Sequence, residues 1–436
     1  MNKKLLLAGL AGILSLATAC KKDDPSPKPT PTPQPGFTIE AKTTDLLQFD
    51  TVRLSAQGTK ADAKLSWVLN GKEVAEGKDY AFTQPRVGRY QVSLVDKTSG
   101  EKVSKDFSVT ARFTSGAFLL NEGNFGNETG TLTYIDASKQ FVLDSAYIRV
   151  NGTKLGNVCQ DMAFANGKVY IISQNGPKNG GEGLLTIADA KTLEKHKVIN
   201  DATLAKDWPT HIAVVHSRIY LRGNSGIYRG TEEGSFKLIP GTEKANKLRM
   251  VTIGELVIAT TSTNKLLVIQ DEEVKQAFTL PEGSPSGLAP APDGQLWLSY
   301  SKPNTLAKVS VSASGVKILD KHTTTQSLDK QWTATSAIFA RANQIFFTEQ
   351  SSVIYRHDFS TGETKKIVDV QKVDKQAKIY YNSLGIDPKT GHIYYASFGD
   401  YSTYKQNVTL VLDHDGKVLL KREHVNAFPA GFYFIP

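Results

Sequence analysis

From residue 37 onward, apolar positions come in short runs of Val, Ile, Leu, Tyr and Phe, with Gly, Asn, Asp and Pro between them. No window of useful length sustains a 3.6-residue spacing, so the pattern predicts strands joined by tight turns and an all-β protein. Between Phe37 and Arg112, the runs TVRLSAQ, KLSWVLNGKEV, DYAFTQPRVGRYQVSLVD and KVSKDFSVTA read as strands of a small immunoglobulin-like sandwich. An NGK hairpin turn and Trp67 on an early central strand fit that fold. This segment carries no cluster of chemistry and reads as a spacer.

From Phe113 the pattern repeats. DMAFANGKVYIIS begins at Asp161, HIAVVHSRIYLRG at His211, RMVTIGELVIATT at Arg249 and GLAPAPDGQLWLSY at Gly287. SAIFARANQIFFTE begins at Ser336 and SLGIDPKTGHIYYASF at Ser383. Each is an apolar strand, a tight polar turn and a second apolar strand; a third strand and a more polar fourth usually follow. Successive starts differ by 50, 38, 38, 49 and 47 residues, the period of a β-propeller blade. Six complete blades leave two remnants. SGAFLLNEGNFGNETGTLTYIDAS, from Ser115, supplies a second and a third strand without a first. PAGF (Pro429 to Phe432) matches PSGL (Pro285 to Leu288), where that strand is innermost. The final strand is therefore expected beside Ala117 to Leu120, completing a seventh blade and closing the propeller of residues 113–436.

Residues 1–19 have two lysines, a short apolar stretch and small residues, the pattern of a secretory signal. ATAC followed by KKDDPSPKPTPTPQPG resembles a bacterial lipobox with Cys20 as the lipidated N-terminus; an ordinary cleavage near Ala19 is the alternative. Residues 20–36 then form a proline-rich tether, reaching roughly 50 Å at about 3.1 Å per residue. With Cys20 acylated, Cys159 has no cysteine left to pair with. Formal charge is +9, or +7 without Lys3 and Lys4, with bases scattered among acids and no basic run interleaved with aromatics. That distribution points away from nucleic acid. Without H-E-x-x-H, G-x-S-x-G or a phosphate-cradling loop, no enzyme activity, metal or cofactor is expected.

Turns between first and second strands are short. Longer second-to-third-strand loops and inter-blade loops collect on the opposite rim of the ring. They carry Phe125, Trp208, Tyr300, Trp332, Tyr380, Tyr381, Phe398, Tyr401 and Tyr404, with Asn124, Gln174 and Asn175 among the intervening amides and His211 nearby. Exposed Tyr and Trp beside amides suit a bulky organic ligand or a protein; folding of these rings beneath their own loops is the structural alternative. His211, His322 and His424 fall at or near the rim and could join Glu122 or Asp161 in a metal or lyase site.

Two resemblances add to this reading. Tyr80-Ala81-Phe82, VGRYQVSLVD and FSVTA are similar to PKD-type modules of surface proteins. The lipobox, this module and a propeller opening FLLNEGNFG and continuing GTLTYID resemble a Bacteroidetes group of surface-layer-type (YncE-like) seven-bladed lipoproteins. CKKDD also resembles their outer-membrane surface export signal. The group includes BtuG-type proteins, which capture corrinoids such as vitamin B12 for a TonB-dependent outer-membrane transporter. The resemblance implies a lipid-anchored, cell-surface nutrient-binding role with those partners. An adhesion module for glycan or protein, and a propeller lyase or hydrolase, are the other readings.

Overall fold

A computed structural model describes residues 36–329, 335–349, 351–380, 382–425 and 428–436. The chain divides into two compact units, one of residues up to Glu40 with Leu54–Tyr80 and Val92–Lys105, the other of Ala41–Arg53, Ala81–Gln91 and Asp106–Pro436. Among the described residues, no helix is long and apolar enough to cross a membrane.

Residues 38–110 form a three-stranded sheet, ordered Thr38–Ala41, Thr51–Gln57, Asp79–Thr83, and a five-stranded one. The latter is ordered Asp45–Leu47, Lys102–Thr110, Gly88–Asp96, Leu65–Leu69, Lys72–Glu76. Thr51–Gln57 alternates exposed and buried residues at its start, putting Val52 and Leu54 inward, as a one-sided sheet requires. Trp67 is fully buried, and its Nε1 donates to Gly77 O at 3.0 Å.

Among the described residues that follow, seven four-stranded antiparallel sheets are formed. In chain order, six begin with Cys159–Ala165, His211–Val215, Val251–Ile253, Ser284–Pro290, Phe339–Arg341 and Leu384–Ile386 (blades 1 to 6). Second strands such as Leu256–Thr260, Leu296–Ser301 and Ile393–Phe398 are buried along their whole length, because a neighbouring blade covers each face. This is why they read as unbroken apolar runs. Outermost strands such as Glu273–Thr279 alternate exposed and half-buried positions instead.

The seventh blade is composite. Pro429–Phe434 is its first strand, followed by Ala117–Asn121, Thr131–Ile135 and the short Val142–Leu143. The register sets Gly431 opposite Leu120, Phe432 opposite Leu119, Tyr433 opposite Phe118 and Phe434 opposite Ala117. Alternate side chains of the final strand therefore face different blades. Phe432 packs with Leu119, Tyr394 and Val411 toward blade 6, while Tyr433 packs with Phe118, Met162 and Ile171 toward blade 1. Gly385 on blade 6 makes room for this contact, since a Cβ there would lie 2.5 Å from that of Phe432. Contacts between first strands run from blade 1 through blade 6 to Pro429–Phe434 and from there back to blade 1.

Phe432→Ala empties a fully packed site, so an expected cost of about 3–5 kcal/mol should appear as a lower urea midpoint. Deleting residues 429–436 removes a whole strand and both of its seams. Its expected result is a broad, non-cooperative thermal transition by circular dichroism, and wild-type unfolding would contradict this account of the seventh blade.

Candidate functional site

Loops between second and third strands and segments entering the first strands share one rim, since antiparallel strands reverse at each turn. Three aromatic side chains stand out as exposed among the described residues: Phe125 (51%), Trp208 (48%) and Tyr401 (50%). All three lie on rim loops, of blade 7, the blade 1-to-2 connection and blade 6 respectively. Exposed rings on one rim form an arc over blades 6, 7, 1 and 2.

Local structure holds each ring in place. A 3-10 turn, Tyr401–Thr403, starts at Asp400, whose carboxylate accepts the Ser402 N–H. Behind Tyr401 stand Phe398 at 5.5 Å and Phe428 at 6.1 Å, and Tyr404 stacks on Phe428 at 4.8 Å with 13° between planes. Lys405 pairs with Glu128 of the blade 7 loop. That loop is tied to blade 1 by Asn157 Nδ2, which donates to Asn124 O at 2.9 Å, and by Asn179 Nδ2, which donates to Phe125 O at 3.3 Å. The Lys178 ammonium lies 3.5 Å from the Phe125 ring centroid, a cation–π contact. Trp208 ends helix Ala202–Asp207 in the left-handed conformation at φ 53°. Such a conformation is unfavourable for a bulky residue and is held by its surroundings: the Asp207 carboxylate accepts Ser225 N–H at 2.9 Å and Ser225 O–H at 2.6 Å.

Polar side chains meet where the rim enters the central channel. Asp161 of blade 1 accepts the Tyr433 hydroxyl at 2.6 Å and the Ile212 N–H at 3.1 Å, and Arg249 Nε lies 3.3 Å from its Oδ1. The Arg249 guanidinium sits over the Tyr433 ring, 4.4 Å from its centroid. Gly431, at φ 146°, permits this, because a Cβ there would stand 2.8 Å from Arg249 Nη2. Burial pushes the Asp161 carboxyl up, against the pull of Arg249 and of the Tyr433 hydroxyl. Across the mouth, Thr335 Oγ1 donates to Asn382 Oδ1 at 3.2 Å and Asn382 Nδ2 donates to Glu122 Oε1 at 3.5 Å. Burial holds the Lys247 ammonium below the usual lysine range; Glu122 opposes this and Arg222 adds to it.

The expected site residues fall into several groups. Phe125, Trp208 and Tyr401 are exposed on the rim, with Asn124 and Asn175 partly so. Tyr404 is half-buried, and Phe398 is buried as the support behind Tyr401. Asn175 Nδ2 donates to Asn157 Oδ1 at 2.7 Å, and Gln174 is buried in the same stretch. Tyr380 is half-buried and its hydroxyl accepts from Gln371 Nε2 at 2.9 Å. Tyr300 is a correction: it lies within strand Leu296–Ser301 and is wholly buried in the core between blades 3 and 4, out of a ligand's reach. Cys20, Trp332 and Tyr381 lie outside the described residues.

The histidines do not converge. His211 is buried at the channel wall, with Nδ1 2.9 Å from Thr210 Oγ1. His322 Nδ1 faces His357 Nε2 at 2.8 Å between blades 4 and 5, and His424 Nδ1 faces Asp144 Oδ1 at 2.8 Å between blades 6 and 7. Asp161 serves Tyr433 and Arg249 rather than a histidine, and no metal-holding cluster of three occurs among the described residues. Sequence reasoning missed Arg222, Lys247, Arg249 and Phe428. No sequence signal set these apart, since KLRM precedes strand Val251–Ile253 without belonging to it and strand alternation does not apply there.

Comparison with known proteins adds the following. Residues 27–104 match a family described as Penicillin-Binding Protein C-terminus Family. A quinonprotein alcohol dehydrogenase-like protein of Bacteroides thetaiotaomicron superimposes with TM-score 0.58 at 16% identity, covering 91% of this chain and 99% of its own. A protein from Lactobacillus plantarum does so with TM-score 0.50 at 11% identity, covering 74% of this chain and 100% of its own. At such identities the likeness concerns the fold. No curated protein matches the chain. Residues 115–435, nearly the whole propeller, match the family described as Domain of unknown function (DUF5074), and the chain belongs to that family.

Proposed function

We propose that this is a cell-surface lipoprotein that captures a bulky nutrient on the propeller rim and passes it to a TonB-dependent outer-membrane transporter. One observation carries the reading: the three exposed aromatics among the described residues all stand on the same rim, beside a polar channel mouth. An exposed ring held rigidly loses little entropy when a ligand covers it, and burial contributes about 25 cal/mol per Å² of apolar area. A ligand that fits has a broad apolar face edged by hydrogen-bonding groups. A corrinoid has that form, a flat macrocycle fringed with amides that Asn124 and Asn175 could meet. The lipobox at Cys20 and the proline-rich tether supply the anchor. Binding proceeds without turnover in this reading, the near-rim histidines being engaged between blades or with Thr210.

Calorimetric titration of the purified protein with cyanocobalamin and with cobinamide tests the ligand class. Heat at micromolar concentrations is expected from at least one. Silence with both removes the corrinoid version, and a positive glycan array would then favour the adhesion reading. Trp208→Ala and Tyr401→Ala should each weaken binding by roughly tenfold, about 1.4 kcal/mol, with thermal unfolding unchanged. Separately, Cys20→Ala should move the protein from the membrane fraction to the soluble one while its affinity stays the same; retention in the membrane would rule out the acyl anchor.

A further inference from the structure

The mouth contains cationic groups with donors left over. Lys247 is half-buried, yet among the described residues its Nζ makes no hydrogen bond and no ion pair. Arg222, from the second strand of blade 2, donates from Nε to Ala245 O at 3.1 Å. From Nη1 it donates to Thr210 Oγ1 at 3.4 Å and to Asn224 Oδ1 at 3.3 Å, leaving Nη2 without a partner among the described residues. The bond to Ala245 O sets Arg222 beside the segment that carries Lys247 two residues further on, and the Arg222 charge disfavours a second charge on Lys247 in a partly desolvated place. The acidic groups facing them are Glu122, toward Lys247, and Asp207, toward Arg222. Glu122 already accepts from Asn382, and Asp207 is turned to Ser225.

We propose that Lys247 and Arg222 form an oxyanion subsite at the rim-side mouth of the channel, which takes a phosphodiester or carboxylate carried by the captured ligand. Oxygen acceptors of an anion satisfy both open donors through charge-assisted hydrogen bonds and remove the repulsion between the cations. The exposed aromatic arc contacts the ligand's apolar face, and this pair fixes which end of it enters the mouth. The inference rests on the rim being the binding face.

Two measurements separate its failure from that of the capture reading. Cyanocobalamin carries a phosphodiester and cobinamide does not. Lys247→Gln should weaken the first by roughly tenfold or more and leave the second unchanged; equal weakening of both would overturn the phosphodiester assignment. The second measurement needs no corrinoid. Lysines of the full chain are acylated at mildly alkaline pH with a limiting active ester and mapped by peptide mass. Lys247 should react faster than exposed Lys178, and millimolar inorganic phosphate or acetate should slow it several-fold in the wild type and not in Arg222→Gln. The stronger of the two anions identifies the oxyanion class. Acylation of Lys247 that neither anion slows overturns the subsite, whether or not a corrinoid binds.

Discussion

Pairing of Pro429–Phe434 with Ala117–Asn121 is the constraint on which the rest of the propeller depends. Without it, the second strand of the seventh blade would present an open row of N–H and C=O groups. Blades 1 and 6 would each also lose an apolar neighbour, because Tyr433 covers one and Phe432 the other. The loop closed by this pairing spans the whole propeller segment, but closure entropy rises only logarithmically with length. A strand's worth of hydrogen bonds and two buried aromatic rings offset it. The lateral stacking of every other blade then has a fixed partner on each side.

That geometry determines what the rim can do. Loops remote in sequence become neighbours, so Phe125, Trp208 and Tyr401 come to share one arc and Lys405 reaches Glu128. Aromatic surface facing water is unfavourable, and here helix caps, stacked rings and a carboxylate bonded to Ser225 keep it exposed. The channel mouth is different in kind. There Asp161 accepts the Tyr433 hydroxyl and forms an ion pair with Arg249, whose guanidinium lies over the Tyr433 ring, while Lys247 does not share in that pairing.

The blade count and the composite seventh blade were legible because second strands are covered on both faces and read as uninterrupted apolar runs between turn residues. The same burial hid the fate of single side chains. Tyr300 stands near the end of LWLSYS, just before the KPNT turn, so it read as a loop residue although it lies within a core strand. His211 read as near-rim and accessible, but its imidazole faces Thr210 in the channel wall. Charges at the mouth were hidden for the opposite reason. Arg249 looks like an ordinary surface residue along the chain, and only the ring brings it within 3.3 Å of Asp161. Exposure of the rim aromatics followed from loop length; the support of Tyr401 by Phe398 and Phe428 required coordinates.

Tyr433 has two duties, since its ring belongs to the core beside blade 1 and its hydroxyl orders Asp161 at the mouth. Assembly of the ring and occupancy of the mouth are therefore thermodynamically linked. A molecule seated there would bind the zipped chain and not the open one. Saturating it would slow amide exchange in the terminal strand, a long way along the chain from any loop the molecule touches.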